Sequence, residues 1–274
     1  MTMKNLKIIT VQDISCYGQC SITVALPVLS AYGFETAILP SAILSTHTSG
    51  FKRFVVHDLD EQMALFIDHW IEEGIKYDCL YTGYLGSVGH FKYINKIKNN
   101  LLNPGSKIIV DPVMGDNGKL YPAFDMNYVE AMKGLLKEAD VILPNITEAS
   151  FLTGLPFKTE YDQDYILQIV KELKKLTNAT IILTGVSYKQ DKTGVVVFDN
   201  EYKYYEHDKI QKSYHGTGDV YSSTFIGNYL KNNDAFKSAC IAADFVYECI
   251  KNTLDDENHL YGVKFEPLLV KYIK

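Results

Sequence analysis

The chain has 274 residues and carries 27 Lys and Arg against 33 Asp and Glu, which gives a formal net charge of −6. Because the basic residues are scattered rather than gathered into a stripe, nucleic acid is not an expected partner. The 47% hydrophobic fraction is that of an ordinary globular protein, and the absence of a run of about 18 apolar residues excludes membrane insertion.

Short β-rich runs alternate with longer amphipathic segments along the chain. The predicted strands are Lys7–Val11, Thr36–Leu39, Cys79–Thr82, Lys107–Asp111, Val141–Leu143, Thr180–Thr184, Gly194–Phe198 and Tyr202–Glu206. The predicted helices are Ser21–Tyr32, Leu59–Glu73, Phe91–Leu102, Asn127–Lys137, Tyr165–Leu176, Val220–Lys231 and Ala235–Lys251. This order predicts an α/β fold.

Strands such as Ile108–Val110 are continuously apolar, which is typical of a parallel sheet covered by helices on both faces. The pattern therefore predicts a doubly wound, mostly parallel central sheet, with the last two predicted strands forming an antiparallel hairpin at one edge. No linker or repeat divides the chain, so residues 1–274 are expected to form a single domain. The five dispersed cysteines without a CxxC pair, and the lack of an export signal, predict a cytoplasmic protein.

The first three predicted strands are followed by loops rich in hydroxyl groups, imidazole and glycine. These loops are Gln12–Gly18, Ser45–Gly50 and Thr82–Gly86. In such sheets the residues after each strand converge at one edge, where ligands bind. Together the loops suit a small polar aromatic ligand, although each loop alone is better explained as a strand-end turn.

A carboxylate follows each of the next two strands, Asp111 after the first and Glu148 after the second. Magnesium takes oxygen ligands and keeps much of its hydration, so this pair is a candidate Mg²⁺ site that acts through waters. Taken separately, Asp111 is also a typical turn residue and Glu148 a typical capping residue of a helix that begins near Asn145.

The most specific segment is Gly216-Thr217-Gly218-Asp219, directly before a predicted helix. Glycines at this position expose successive backbone N–H groups, which form a cradle for an anion. Asp219 is placed to take a proton from an alcohol that attacks a phosphoryl group, although a first-turn helix acid has the same appearance. No GxxxxGK[ST] loop is present, so this cradle must serve if a nucleotide binds.

These motifs, in this order, resemble the pyridoxal kinases of the ribokinase-like superfamily. The resemblance spans about Lys7 to Lys251 and depends on Val11-Gln12 to Tyr17-Gly18, Thr46-His47-Thr48, Thr82-Gly83-Tyr84, Asp111 to Asp116, Pro144-Asn145 to Glu148, and Gly216 to Asp219. It implies ATP-dependent phosphorylation of the 5′-hydroxymethyl group of pyridoxal, pyridoxine or pyridoxamine. It also implies ATP and Mg²⁺ as cofactors, stimulation by a monovalent cation such as K⁺, and a homodimer.

The resemblance assigns a role to each site residue. Asp219 would be the catalytic base, with Gly216, Thr217 and Gly218 around the anion hole. The remaining roles are metal organisation for Asp111 and Glu148, contact with the nucleotide phosphates for Asn145 and Thr184, contact with the pyridine ring for Thr48 and Tyr84, and positions close to the ring for Tyr17 and His47.

One position departs from the family pattern. Asp13 stands where many pyridoxal kinases carry a serine that meets the ring. An acid there could bond a protonated ring nitrogen or an exocyclic amine, which predicts an altered preference among the vitamers or towards a related pyrimidine. Hydroxymethylpyrimidine kinase is therefore the second hypothesis, and a ligand-binding protein without turnover is the third.

Overall fold

The computed structural model describes residues 6–48, 51–256, 259 and 261–272. The strands of this part of the chain are β1 (Lys7–Ser15), β2 (Glu35–Leu44), β3 (Val56–Asp58), β4 (Tyr77–Thr82), β5 (Leu102–Val110), β6 (Gly115–Asp116), β7 (Lys119–Leu120), β8 (Val141–Ile142), β9 (Thr180–Val186), β10 (Lys192–Asp199) and β11 (Glu201–Asp208). Its helices are α1 (Ile22–Ala31), α2 (Asp60–Glu72), α3 (Phe91–Leu101), α4 (Met126–Leu136), α5 (Ile146–Thr153), α6 (Gln163–Leu176), α7 (Thr217–Asn232), α8 (Ala235–Thr253) and α9 (Glu266–Tyr272). Each strand and helix predicted from the sequence is present.

A nine-stranded sheet runs in the order β11-β10-β9-β8-β5-β4-β1-β2-β3. The strands from β9 across to β2 pair in parallel, as in Ile8↔Cys79 and Thr82↔Val110. At one edge β10 and β11 pair antiparallel, which confirms the predicted hairpin. The doubly wound, mostly parallel sheet is also confirmed.

Helices cover both faces of this sheet. On one face α2 to α6 bury residues such as Ile67, Ile97 and Leu173, and on the other α1, α7 and α8 bury residues such as Val28, Phe225 and Ala239. The carboxyl ends of the parallel strands stay uncovered between the two layers. Most of the predicted site residues follow these strand ends or begin the next helix, while Asp13 and Thr184 lie within the last few residues of β1 and β9.

Three short strands and the short helix α9 were not predicted, whereas α5 begins directly after Asn145, where the capping pattern indicated a helix. β3 pairs antiparallel with β2 at the second edge of the sheet, and β6 pairs with β7 as a separate hairpin. These strands have two or three residues, too few to show a period of two. Helix α9 has only seven residues, too few to show a clear helical period. Among the described residues no helix has both the length and the apolar character needed to cross a membrane.

Candidate active site

Helix α7 begins inside the glycine motif. It starts at Thr217, three residues before the predicted start at Val220, because Gly216 ends the preceding loop in a left-handed conformation with φ of 75°. A Cβ atom on Gly216 would lie 1.8 Å from the carbonyl oxygen of Gln19, so only glycine fits there. The first turn of α7 therefore includes the rest of the glycine motif, with Asp219 as its acidic residue.

Asp219 is a partly buried carboxyl with a perturbed acidity. Burial raises the pKa of Asp219 to about 7, the backbone N–H of Ser21 opposes that shift, and the nearby Asp13 adds to it. A carboxyl with a pKa near the working pH is suited to accept a proton from an alcohol. Asp219 therefore lies in the first helical turn, as an ordinary first-turn acid would, and also has the pKa expected of a general base.

Asp111 and Glu148 are both buried, at 7% and 4% exposure. The Ser222 hydroxyl donates a hydrogen bond of 2.6 Å to Asp111 Oδ2. Burial raises the pKa of Asp111 to about 8, with a further rise from Asp219, and burial together with the charge of Asp111 raises the pKa of Glu148. The charged groups that act on this pair are carboxylates, so a cation placed beside them would be strongly favoured.

Glu148 also has the structural role that its sequence allowed. Asn145 and Glu148 form a capping box at the start of α5, with Glu148 N–H donating to Asn145 Oδ1 at 2.9 Å and Asn145 N–H donating to Glu148 Oε2 at 2.8 Å. The backbone N–H of Met114 donates to Glu148 Oε1 at 3.2 Å. These bonds fix the carboxylate and leave further lone pairs for a hydrated ion.

The donors in this region fit a hydrated magnesium ion better than a directly ligated metal. Within residues 6–48, 51–256, 259 and 261–272, no group of three or more His, Cys, Asp or Glu side chains is arranged to hold a metal. Asp111 and Glu148 are oxygen donors, and no described Lys, Arg or His forms an ion pair with either, which suits an ion that keeps several waters.

Asn145 and Thr184 line a cavity of about 750 Å³ at the same edge of the sheet. The two residues form a parallel bridge, and Thr184 N–H donates to the carbonyl of Pro144 at 2.9 Å. The two residues therefore lie together, and their contact with the nucleotide phosphates stays a prediction. The cavity is also lined by aromatic and basic side chains that sequence reasoning missed, namely Phe157, Tyr161, Tyr188, Lys158, Lys189 and Lys209.

Asp13 is close enough to Asp219 for its charge to raise the pKa of that carboxyl, and the ring of His47 lies 5.1 Å from that of His215, the residue before the glycine motif. Asp13 is 5% exposed, its carboxyl accepts a hydrogen bond of 3.1 Å from Ser15, and burial raises its pKa. The charge of Asp13 contributes, after burial, to raising the pKa of Tyr84 to about 12. Burial, followed by the neighbouring His215, lowers the pKa of His47 to about 4, so the imidazole is neutral at pH 7.

Tyr17 and Thr48, which were also predicted to lie at or near the ring, are more exposed than Asp13 and His47. Tyr17 is 49% exposed and packs its ring against Tyr261 at 4.6 Å, while its carbonyl accepts the N–H of His47. Thr48 is exposed at the end of the described part of its loop. The rest of that predicted loop, residues 49 and 50, lies outside the described residues, and the contact of Thr48 with a ring stays a prediction.

Comparison with known proteins identifies the family. Residues 8–263 match the family model described as phosphomethylpyrimidine kinase. The chain belongs to this family. It is 31% identical to the pyridoxal kinase of Lactobacillus plantarum, whose crystal structure superposes with a TM-score of 0.91 over 98% of this chain and 97% of that one.

Two further relatives cover nearly the whole chain. A Bacteroides thetaiotaomicron protein crystallised with pyridoxal is 32% identical, with a TM-score of 0.93 over 99% of this chain and 96% of that one. The pyridoxal kinase of Dictyostelium discoideum is 27% identical over 90% of this chain and 86% of its own length. The resemblance seen in the sequence is confirmed, and the chain is a ribokinase-like phosphotransferase with an alcohol acceptor.

Proposed function

We propose that this protein phosphorylates the 5′-hydroxymethyl group of pyridoxal, pyridoxine or pyridoxamine with ATP as the phosphoryl donor. The observation that carries the proposal is the arrangement of Asp219 in the first turn of α7, behind the left-handed Gly216 and beside the buried Asp111 and Glu148. The relatives named as pyridoxal kinases support the substrate class.

The residues of the chain would divide the work of phosphoryl transfer. Asp219 accepts the proton of the attacking hydroxyl, while the N–H groups that follow Gly216 stabilise charge on the transferred phosphoryl group. Asn145 and Thr184, in the cavity of about 750 Å³, would hold the nucleotide phosphates. Magnesium, organised by Asp111 and Glu148 through waters, would supply further charge stabilisation.

The ring of the substrate would lie against Asp13, Tyr84, His47, Tyr17 and Thr48. Neutral His47 can donate or accept a single hydrogen bond without repelling a protonated ring. Asp13 is buried with its carboxyl bonded by Ser15, so it presents an acid to the ring rather than the hydroxyl common in the family. We therefore infer a preference that differs from the common vitamer order, favouring a cationic ring or an amine.

Hydroxymethylpyrimidine kinase is the second candidate, because the matching family model carries the phosphomethylpyrimidine kinase description and Asp13 suits an aminopyrimidine. A binding protein without turnover is less well supported, since the base, the glycines and both acidic side chains are all kept. We extend the proposal to a single kinase domain that acts as a cytoplasmic homodimer and is stimulated by K⁺. All five cysteines are free, in keeping with a reducing compartment.

The test is ATP-dependent phosphorylation of pyridoxal, pyridoxine, pyridoxamine and hydroxymethylpyrimidine by the wild type and by Asp13→Ser. We expect product from the B6 vitamers, and a change in the ratio of kcat/KM for pyridoxamine to that for pyridoxal in the variant. Product from the pyrimidine alone would transfer the assignment to the second candidate. No product from any alcohol would favour the binding protein, and unchanged ratios in Asp13→Ser would remove Asp13 from ring recognition.

A further inference from the structure

After α8 the chain returns to the loop that joins β1 to α1. This return, called here the C-terminal segment, comprises residues 261–266. Its Val263 and Phe265 are buried at 0% and 1% exposure in the core that they share with α1, α7 and α8. Asn252 Nδ2, near the end of α8, donates to the carbonyl of Lys264 at 3.0 Å. The C-terminal segment is therefore firmly fixed to the body of the fold.

Gln19 is the residue of the β1–α1 loop that this segment and the neighbouring His259 hold. Its backbone N–H donates to the carbonyl of Tyr261 at 2.8 Å. Its side-chain amide donates to Glu266 Oε1, and its Oε1 accepts from His259 Nε2 at 3.2 Å. Because a carboxylate and an amide oxygen can only accept, these two partners fix the orientation of the amide. Gly262 packs so closely against the same side chain that a Cβ on it would lie 2.5 Å from Gln19 Cβ.

The carbonyl of Gln19 faces the anion cradle. A Cβ on Gly216 would lie 1.8 Å from this oxygen, so the Gln19 peptide packs directly against Gly216. Gly216 is the residue from which α7 begins, and Cys20, the next residue of the loop, lies against it as well. Because closely packed backbone leaves little free volume, a displacement of Gln19 also displaces Gly216 and the first N–H groups of α7.

Tyr17, two residues earlier in the same loop, also contacts the C-terminal segment. Its ring lies 4.6 Å from the ring of Tyr261, at an interplanar angle of 45°. Its carbonyl accepts from the N–H of His47 at 3.2 Å, so it is bonded to a second proposed neighbour of the substrate ring. The C-terminal segment therefore supports the loop at two points, one beside the proposed ring site and one beside the anion cradle.

We propose that Gln19 is a positioning residue, which holds the β1–α1 loop between the C-terminal segment and Gly216 and so fixes Tyr17 relative to the anion cradle. The inference rests on the proposed function, because it takes Tyr17 as a neighbour of the substrate ring and the first N–H groups of α7 as the cradle. In phosphoryl transfer the attacking hydroxyl must lie in line with the phosphoryl group, so a small displacement between ring and cradle lowers the rate. Gln19 acts through the loop and through Gly216.

A role in stability alone predicts a different result. If the bonds of Gln19 only fastened the C-terminal segment to the fold, the loss of any surface bond of that segment would have the same consequence. Asn252→Ala removes the bond to the carbonyl of Lys264 and leaves every contact of Gln19 in place. It is therefore the matched control for Gln19→Ala.

The experiment compares Gln19→Ala, Glu266→Ala, Glu266→Gln and Asn252→Ala with the wild type. The alcohol is whichever of pyridoxal and hydroxymethylpyrimidine the wild type phosphorylates. We expect Gln19→Ala and Glu266→Ala to lower kcat/KM for the alcohol about tenfold, the effect of one lost hydrogen bond to a carboxylate, while the KM for ATP stays unchanged. Glu266→Gln keeps an acceptor oxygen and should recover most of that loss, and Asn252→Ala should match the wild type.

A double-mutant cycle and melting curves complete the test. In the Glu266→Ala background, Gln19→Ala should lower kcat/KM by less than about threefold further, because the bond between the two side chains is already gone. A wild-type kcat/KM in Gln19→Ala, an equal loss in Asn252→Ala, or a loss that only follows the melting temperature across the variants would overturn the inference. These results leave the proposed function intact, whereas a wild type that forms no product would remove both.

Discussion

The acidity of Asp219 predicts a pH profile for the reaction. Burial raises its pKa to about 7, so its ionised, proton-accepting form is a minority at pH 6 and predominates at pH 8. For a single group with that pKa the ionised fraction increases about tenfold between pH 6 and pH 8. Because the base must be ionised to accept a proton, kcat/KM should rise about tenfold over this interval and then level off.

The matching substitution is Asp219→Asn, which keeps the shape of the side chain and removes its basicity. We expect kcat to fall by about 10²–10⁴, the usual contribution of a general base, with little change in the KM for the alcohol. Glu201→Gln, at the exposed start of β11, is the control and should behave as the wild type.

Steady-state kinetics with pyridoxal at saturating Mg²⁺-ATP from pH 5.5 to 9 measure both effects. The reasoning would be refuted by a flat wild-type profile together with a variant that loses only substrate affinity. A variant that keeps more than about a tenth of the wild-type kcat would also exclude Asp219 as the base.

Three other predictions concern the glycine motif and the acidic pair. Gly216→Ala should lower the free energy of unfolding in urea by at least about 2 kcal/mol, because φ of 75° and the contact with a backbone oxygen both oppose a Cβ, whereas Gly218→Ala, with open space around it, should change stability little. Ser222→Ala removes the 2.6 Å hydrogen bond to Asp111 and should raise the Mg²⁺ concentration needed for half-maximal activity about five- to tenfold. Calorimetry should show Mg²⁺ binding weakened by the same factor. A variant with the same Mg²⁺ dependence as the wild type would contradict the metal assignment. Folding raises the pKa of Asp111 from 3.8 to about 8, and that of Glu148 also rises, so the metal-free protein binds more protons folded than unfolded and should lose stability as the pH rises from about 4 through about 8. Melting curves at pH 6 and pH 8.5 test this, and added Mg²⁺ should stabilise the protein more at pH 8.5; equal melting temperatures without metal would refute it.

Much of the fold could be predicted because its signals are local. Apolar runs such as Ile108–Val110 mark strands buried on both faces, and the alternation of strands with amphipathic helices indicates a doubly wound sheet. The antiparallel edge of β10 and β11 was visible from two β-rich runs separated by a short polar turn. β3 was missed, since its three residues carry little signal and it pairs with β2, from which residues 45–55 separate it. The β6–β7 hairpin was missed although its turn, Asn117-Gly118, is a local hairpin signal, because strands of two residues show no alternation of their own.

Some residues of the candidate site could likewise be found from the sequence, and others could not. The glycine motif ending at Asp219 could be found because its chemistry depends on adjacent residues. Ser222 could not, because its partner Asp111 is 111 positions away in sequence.

By itself, then, the sequence determined the alternation of elements, the residue types at the strand ends and the glycine cradle, all of which depend on neighbours along the chain. The tertiary structure decided which of these groups are buried together and how acidic they are. Acidity depends on removal from water and on charges brought near through space, so the raised pKa values of Asp219, Asp111 and Glu148 exist only once β5, α5 and α7 have packed around one edge of the sheet.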